Sequence, residues 1–231
     1  MDRRIIATKD GSHTLELPGS STTYHSRHGA MEESRHVFVH TGLGFAAARF
    51  QQTPLRIFEM GFGTGLNALL TAIEAERRKL PVRYTTIEAH PVPAGLATQL
   101  NFGEAAGAPE LFAALHGTHW GGDVALSPFF TIRKEQAVLE EFRSTQRFHV
   151  IYYDAFAPSA QPELWTTERF RQLHDLLLPG GVLTTYCSKS VVRKAMEDAG
   201  LLVTKPPGPW GKREMVRAER TREQGTGNKE P

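Results

Sequence analysis

An α/β fold built on a mostly parallel, seven-stranded sheet, with an N-terminal β-hairpin ahead of it, is what this sequence predicts, and three observations carry the prediction. From Leu55 onward, short β-rich runs alternate with stretches of helical periodicity, the order expected of a helix-covered parallel sheet. The first run, residues 55–60, passes through Gly61, Gly63 and Gly65 directly into a helical pattern. Three of the runs close on a carboxylate, at Glu59, Glu88 and Asp154. In an open α/β sheet a ligand lies beyond the carboxyl ends of the strands where the strand order reverses, so residues at such ends converge on one site.

The elements follow in order. Residues 3–17 read as a hairpin, because Asp10-Gly11 suits a two-residue turn with positive φ. This hairpin and a helical extension occupy residues 1–54 and pack on a domain formed by residues 55–217. Residues 218–231 are polar, charged and without an apolar period, the composition of a disordered tail. Strands are expected near 55–60, 82–88, 129–133, 148–153, 181–187, 201–205 and 213–218. A long helix ends at Arg77-Arg78-Lys79, while Ser188 or Ser190 opens another that Gly200 closes. Pro179-Gly180-Gly181 turns the chain into the fifth strand. Residues 89–128, with four prolines and Gly121-Gly122 among short helical patches, read as an insertion over the sheet edge.

Composition narrows the function classes. A chain of 231 residues with 40% hydrophobic content can bury one sizeable core and leaves no room for a large second domain. It has no apolar run of eighteen residues and no charged-then-apolar leader, so a cytoplasmic protein is expected. Cys187, the one cysteine, sits in an apolar run and reads as a buried strand thiol. Histidines pair by spacing at 25/28, 36/40 and 116/119, yet none is joined by cysteines or acids in a zinc pattern, so no metal site is expected. A formal charge of +2 permits a nucleic-acid partner without requiring one.

The glycine turn sets the chemistry. Without a Cβ, glycine tolerates positive φ and lets a ligand approach the backbone, and the free amides opening the next helix can bind a carboxylate or phosphate. A dinucleotide fingerprint would need glycine at position 66, where this chain has Leu66. What stands is G-x-G-x-G behind acidic Glu59, which resembles the first motif of class I S-adenosylmethionine-dependent methyltransferases, a Rossmann-like class. Glu59, Gly61, Gly63, Gly65 and Asn67 are the cofactor contacts that this resemblance implies. Glu88 closes the second strand, where a ribose diol needs a carboxylate that accepts from both hydroxyls. Asp154 opens a loop stiffened by Pro158 and Pro162, with Phe156 and Trp165 as faces for a planar base.

Further segments carry a narrower resemblance. Phe62-Gly-Thr-Gly-Leu-Asn67, Asp154-Ala-Phe-Ala-Pro158 with Pro162-Glu-Leu-Trp165, Val192-Arg193 with Ala199-Gly200, and Lys212-Arg213-Glu214-Met215 resemble the methyltransferase domain of the MnmC family. Tyr24-His-Ser26 and the segment Glu32 to Phe38 fit as well, so the resemblance runs from about residue 5 to 217. It implies S-adenosyl-L-methionine as cofactor and tRNA as partner, with methylation of the exocyclic amine of 5-aminomethyl-(2-thio)uridine at the wobble position. It also implies a stand-alone form without the flavin-dependent oxidase domain of the bifunctional members. Asp154 then acts as the catalytic group and a cofactor contact, Tyr24 and Glu33 contact the cofactor, and Phe156, Pro158, Lys212 and Arg213 contact substrate. Where the family often has Gly-Asp after the third strand, this chain has Arg133-Lys134-Glu135-Gln136, which leaves adenine to Glu135 or to backbone amides. Two alternatives stay open: a class I methyltransferase acting on a small amine metabolite, and a non-catalytic RNA-binding module that keeps the fold.

Overall fold

The computed structural model describes residues 3–51, 54–209 and 211–222. Strands β1 (Arg4–Ala7) and β2 (His13–Glu16) form the expected hairpin, with Ala7 opposite His13. The loop holds residues 8–12 rather than two, because Asp10 Oδ1 accepts from Thr8 Oγ1 at 2.7 Å and from Ser12 N at 3.0 Å, an arrangement that needs residues on both sides. One helical rod follows, made of α1 (Ala30–Ser34), a π-helical stretch (Arg35–Gly44) and α2 (Phe45–Arg49). Gly42 lets this rod lie against the sheet, since a Cβ there would stand 2.8 Å from Tyr152 Cε1.

The remaining elements are β3 (Leu55–Met60), α3 (Leu66–Arg78), β4 (Val82–Ile87), α4 (Ala94–Ala97), α5 (Phe102–Ala105), α6 (Pro109–Gly117), β5 (Asp123–Ser127), β6 (Phe130–Glu135) and β7 (Phe148–Tyr153). After a 3-10 turn at Pro162–Trp165 come α7 (Thr167–Leu176), β8 (Leu177–Thr185), α8 (Ser190–Asp198), β9 (Leu202–Thr204) and β10 (Val216–Glu219). The sheet order is β5-β6-β4-β3-β7-β8-β10-β9. Its five inner strands, from β6 to β8, run parallel, β5 is antiparallel to β6, and β10 is antiparallel to both β8 and β9. The chain leaves β3 for β4 on one side and returns to β7 on the other, so the switch point opens beyond the ends of these strands.

Two apolar layers hold the sheet. Along β7 all six residues are buried, and they alternate: Val150 and Tyr152 face α3 and the N-terminal rod, while Ile151 and Tyr153 face α7 and α8. Burial on both faces explains why this strand reads as one unbroken apolar run. Phe58 stacks on Phe142 at 4.6 Å in the second layer. Each such side chain contributes about 1.5–3 kcal/mol.

The α/β class and mostly parallel sheet match the sequence prediction, with four departures. The sheet has an eighth strand, β5, inside the segment read as an irregular insertion; its alternate residues are exposed, which removes the apolar pattern. Pro179-Gly180-Gly181 lies within β8 rather than ahead of it, with Gly180 at φ +81° where the pairing to β7 shifts register. Lys189, not a serine, stands at the N-cap of α8 and makes no side-chain cap. The last strand begins at Val216 and continues through Glu219, with Ala218 fully buried against β8, so the expected tail starts later than residue 218. The rest of that tail, residues 223–231, and Trp210 lie outside the described residues.

Candidate active site

The floor of the site is the turn from β3 into α3. Gly61 N and Phe62 N both donate to Ile87 O, at 3.0 and 3.1 Å, which extends the strand ladder one step past its end. Gly61, at φ +93°, then bends the chain so closely over β7 that a Cβ would stand 3.2 Å from Asp154 O. Gly63, at φ +51°, leaves its amide free to donate to Glu88 Oε2 at 2.9 Å, and the other Glu88 oxygen accepts from His90 N at 2.9 Å. Thr64 is gripped from two sides. Its hydroxyl bonds His25 Nε2 at 2.7 Å, and its carbonyl accepts from His116 Nε2 at 3.0 Å. Burial lowers the pKa of both rings, His25 to about 4, so they serve as neutral imidazoles.

Two carboxyl groups stand at neighbouring strand ends in different settings. Glu59 is fully buried with no hydrogen-bond partner at either oxygen, and the nearby Tyr84 and Thr86 hydroxyls are likewise unpartnered. Burial raises its pKa to about 8, with help from the Asp154 charge. Asp154 is half-buried. Its Oδ2 accepts from Asn67 Nδ2 at 2.8 Å, and Asn67 in turn accepts from the Ser34 hydroxyl. Burial pushes Asp154 up to about 7, opposed by the Asn67 bond; Glu33 raises it further and Lys212 lowers it. Near neutral pH this group can therefore both accept and hold a proton.

A cavity of about 1250 Å³ opens above this floor. Gly61, Gly63, Asn67, Glu88 and Asp154 line it at the strand ends. Tyr24, Glu33, Phe156 and Lys212 also line it, with Tyr24 and Phe156 in an edge-to-face contact at 5.0 Å. Other predicted residues are not brought to the cavity. Glu59 lies beneath the floor, and Gly65 faces inward, where a Cβ would meet His116 Nε2 at 3.0 Å. The Glu135 carboxylate points along the outer face of β6 to Arg133 Nη1, 3.6 Å away, and residues 137–140 take the wall assigned to it. Pro158 is off the lining, and Arg213 is exposed, with its carbonyl accepting from Gly208 N at 3.2 Å. Lys212 is not free for a phosphate: its ammonium bonds Glu33 and lies 4.4 Å from the centre of the Tyr186 ring. Trp165 is core, donating from Nε1 to Phe156 O at 2.8 Å. His25 and Tyr186 on the lining, and His116 behind it, are not singled out by the sequence: spacing marks the histidines only as metal-ligand candidates, and Tyr186 lies in an apolar run that reads as core.

No helix among the described residues is long and apolar enough to cross a membrane, and no group of three or more His, Cys, Asp or Glu among them could hold a metal ion. A glycine cradle with no room for side chains, a strand-end carboxylate and a switch-point cavity define a nucleotide-cofactor enzyme. A family model for S-adenosyl-L-methionine-dependent methyltransferases matches residues 129–221. Among curated proteins the chain is similar to MnmC proteins. It is 32% identical over 241 residues to the tRNA 5-methylaminomethyl-2-thiouridine biosynthesis bifunctional protein MnmC of Burkholderia multivorans, covering 94% of this chain and 35% of that protein. For the protein of the same name from Aromatoleum aromaticum the identity is 31%, over 97% of this chain and 36% of the relative. The chain thus spans about a third of the length of the curated relatives it matches. The crystal structure of MNMC2 from Aquifex aeolicus has the same fold, with a TM-score of 0.74 at 22% identity, covering 96% of this chain and 71% of that one.

The residues present fit the cofactor of this class. Gly61 and Gly63 leave backbone open to the cavity, Glu88 offers a carboxylate at its rim, and the volume exceeds that of a typical small-molecule pocket, roughly 300–1,000 Å³.

Proposed function

We propose that this chain transfers a methyl group from S-adenosyl-L-methionine to the exocyclic amine of 5-aminomethyl-(2-thio)uridine at the wobble position of tRNA, giving the methylaminomethyl form. The observation that carries this reading is Asp154, a half-buried carboxyl held by Asn67 at the mouth of the switch point and poised between its two protonation states. S-adenosyl-L-methionine, when bound, supplies an electrophilic methyl carbon on a sulfonium. Gly61, Gly63, Asn67 and Glu88 would hold it. Asp154 would orient the uncharged acceptor nitrogen toward that methyl carbon and, directly or through water, take the N–H proton that the methylated nitrogen gives up. Alignment dominates this chemistry, because pre-orientation contributes about 7–11 kcal/mol and a general base only a factor of about 10² to 10⁴. Tyr24 and Phe156 offer the apolar edges against which a pyrimidine ring would pack.

Support for tRNA as the partner comes from the relatives' names and from exposed Arg213, the chain neighbour of Lys212. A tRNA substrate would place the reaction in the cytoplasm. Incubation with radiolabelled S-adenosyl-L-methionine and tRNA bearing the 5-aminomethyl wobble nucleoside, followed by digestion and mass spectrometry, tests the assignment. Label in the methylaminomethyl nucleoside, absent with unmodified tRNA, is the expected result; label on a small amine but on no tRNA would overturn it in favour of a metabolite enzyme.

A further inference from the structure

Lys212 sits where the proposed reaction needs an explanation, and its setting is built with care. Residues 206–209 and 211–215 fold back on each other as a strap: Lys212 N donates to Pro209 O at 2.9 Å, Met215 N to Pro206 O at 3.1 Å, and Pro207 bridges Glu214. Gly208 is packed beneath, where a Cβ would stand 2.5 Å from Lys212 O. This fold aims Lys212 into the cavity and its neighbour Arg213 out to solvent. The ammonium is then fixed by the Glu33 carboxylate and by the face of Tyr186. Glu33 is itself buried, and its second oxygen accepts from Ser26 N at 2.9 Å. Around Lys212 stand Glu33 from α1, Asp154 after β7, and Tyr186 and Cys187 after β8, with His28 against Gly211 beside it.

An ion pair between a buried Glu33 and a half-buried Lys212 is weak evidence for a purely structural role, because desolvating Glu33 and part of Lys212 offsets much of their attraction. The charge balance suggests another use. Of the carboxylates and cations that line the cavity, the Lys212 ammonium has two carboxylates beside it, Glu33 and Asp154, while Glu88, Glu140, Glu163 and Arg3 stand elsewhere on the lining. Two unbalanced carboxylates would stabilise the aminomethyl group as an ammonium, which has no lone pair and cannot attack a methyl carbon. A neighbouring cation disfavours a second one. Resting on the substrate reading above, we propose that Lys212 keeps the acceptor amine uncharged, its fixed ammonium opposing a second ammonium beside Asp154 so that the aminomethyl group enters as the free base. The displaced proton goes to the buffer on binding, and the lone pair it leaves behind is the one that forms the N–C bond. Lys212 is a positioning and specificity residue for the acceptor, not a phosphate contact.

Proton release on binding tests this directly. Protein loaded with S-adenosylhomocysteine is titrated by calorimetry near pH 7 with an RNA stem-loop carrying 5-aminomethyluridine, in two buffers of different ionisation enthalpy. The wild type should release about one proton per RNA bound and Lys212→Met markedly fewer, while Lys212→Arg follows the wild type. In turnover, the acid limb of the Lys212→Met rate profile should move up by about one pH unit, with the high-pH plateau much less affected. Glu33→Gln removes the same ion pair but keeps the cation, so it should retain proton release; a loss equal to that of Lys212→Met would assign the effect to the strap and overturn the proposal. Equal proton release and an unmoved acid limb in Lys212→Met would do the same. If wild-type protein does not bind the aminomethyl RNA at all, the substrate reading falls and the proposal with it, whereas binding with unchanged proton release removes the proposal alone.

Discussion

The floor of the cavity and its outer wall are made in different ways. The floor is strand-end geometry: Met60 is paired with Ile87 on one side and Tyr153 on the other, so the residues that follow, Gly61, Glu88 and Asp154, are brought together by sheet register. Backbone hydrogen bonds and close approach hold it, as where the Gly61 and Phe62 amides share Ile87 O. The wall comes from distant parts of the chain and is held by side chains: the Tyr24–Phe156 contact, Arg3 Nη2 on His90 O at 2.8 Å, and the Lys212–Glu33 pair, which joins residues 179 positions apart. Register tolerates little variation, whereas a wall of side-chain pairs can be rebuilt residue by residue. The floor therefore suits the part of the reaction that all such enzymes share, and the wall suits the choice of acceptor.

Changes in the floor should have the largest effects. Asp154→Ala should lower the single-turnover rate by about 10² to 10⁴ while cofactor affinity by calorimetry stays within a few-fold; a variant with normal turnover would sink the role given to Asp154. Gly61→Ala comes next. At φ +93°, and with Asp154 O in the way, an added Cβ costs about 1–3 kcal/mol of strain or displaces the Asp154 backbone. Both the melting temperature and cofactor affinity should fall, and an unchanged affinity would show that the turn does not set the cofactor position.

Glu59 gives a pH-dependent effect with a defined sign. Its pKa is 4.5 when exposed and about 8 in the fold, so the fold favours the neutral acid. That contribution is complete below about pH 4.5 and is lost as the pH rises toward 8. Glu59→Gln is neutral throughout, so its melting temperature relative to wild type should climb between pH 5 and pH 8, by on the order of 10 °C at about 1.4 kcal/mol per pH unit and roughly 2–4 °C per kcal/mol for a chain of this size. A difference that stays constant with pH would mean that Glu59 is ionised in the fold.

The same division explains what the sequence made legible. Floor residues announce themselves, since a glycine run after an apolar strand and an acid at a strand end are local signals read by spacing. Gly61, Gly63, Glu88 and Asp154 are all legible in this way, whereas Asn67 follows only from the family resemblance. The wall is not local. Nothing near Lys212 in sequence says that its ammonium lies on Glu33, and a Lys-Arg pair in a polar segment reads as a solvated face whichever way each side chain points. Glu135 misled for a related reason. It closes β6 rather than following it, and the alternation that buries Ile132 and Lys134 on the inner face sends Arg133 and Glu135 to the outer one. Strand β5 was missed because an edge strand with alternate residues exposed lacks the apolar run that marks the central ones.

Arg213 offers the smallest effect and the sharpest contrast with its neighbour. It is exposed, it makes no side-chain hydrogen bond or ion pair among the described residues, and the fold of residues 206–209 and 211–215 turns it away from the cavity that holds Lys212. Its only plausible contribution to the proposed reaction is to a phosphate, and one such contact steepens the salt dependence of binding by about one unit of log–log slope. Arg213→Ala should therefore weaken tRNA binding several-fold at low salt and reduce that slope by about one, with cofactor affinity and the pH dependence of turnover unchanged. Lys212→Met should do the reverse, moving the pH dependence and leaving the slope nearly as it was. If both variants change only the slope, the two residues form one phosphate-binding edge and the distinction between wall and surface at this strap fails. If Arg213→Ala leaves the slope untouched, the tRNA backbone crosses the protein elsewhere, and Lys189 and Arg193 at the start of α8, both exposed or half-exposed, become the next residues to change.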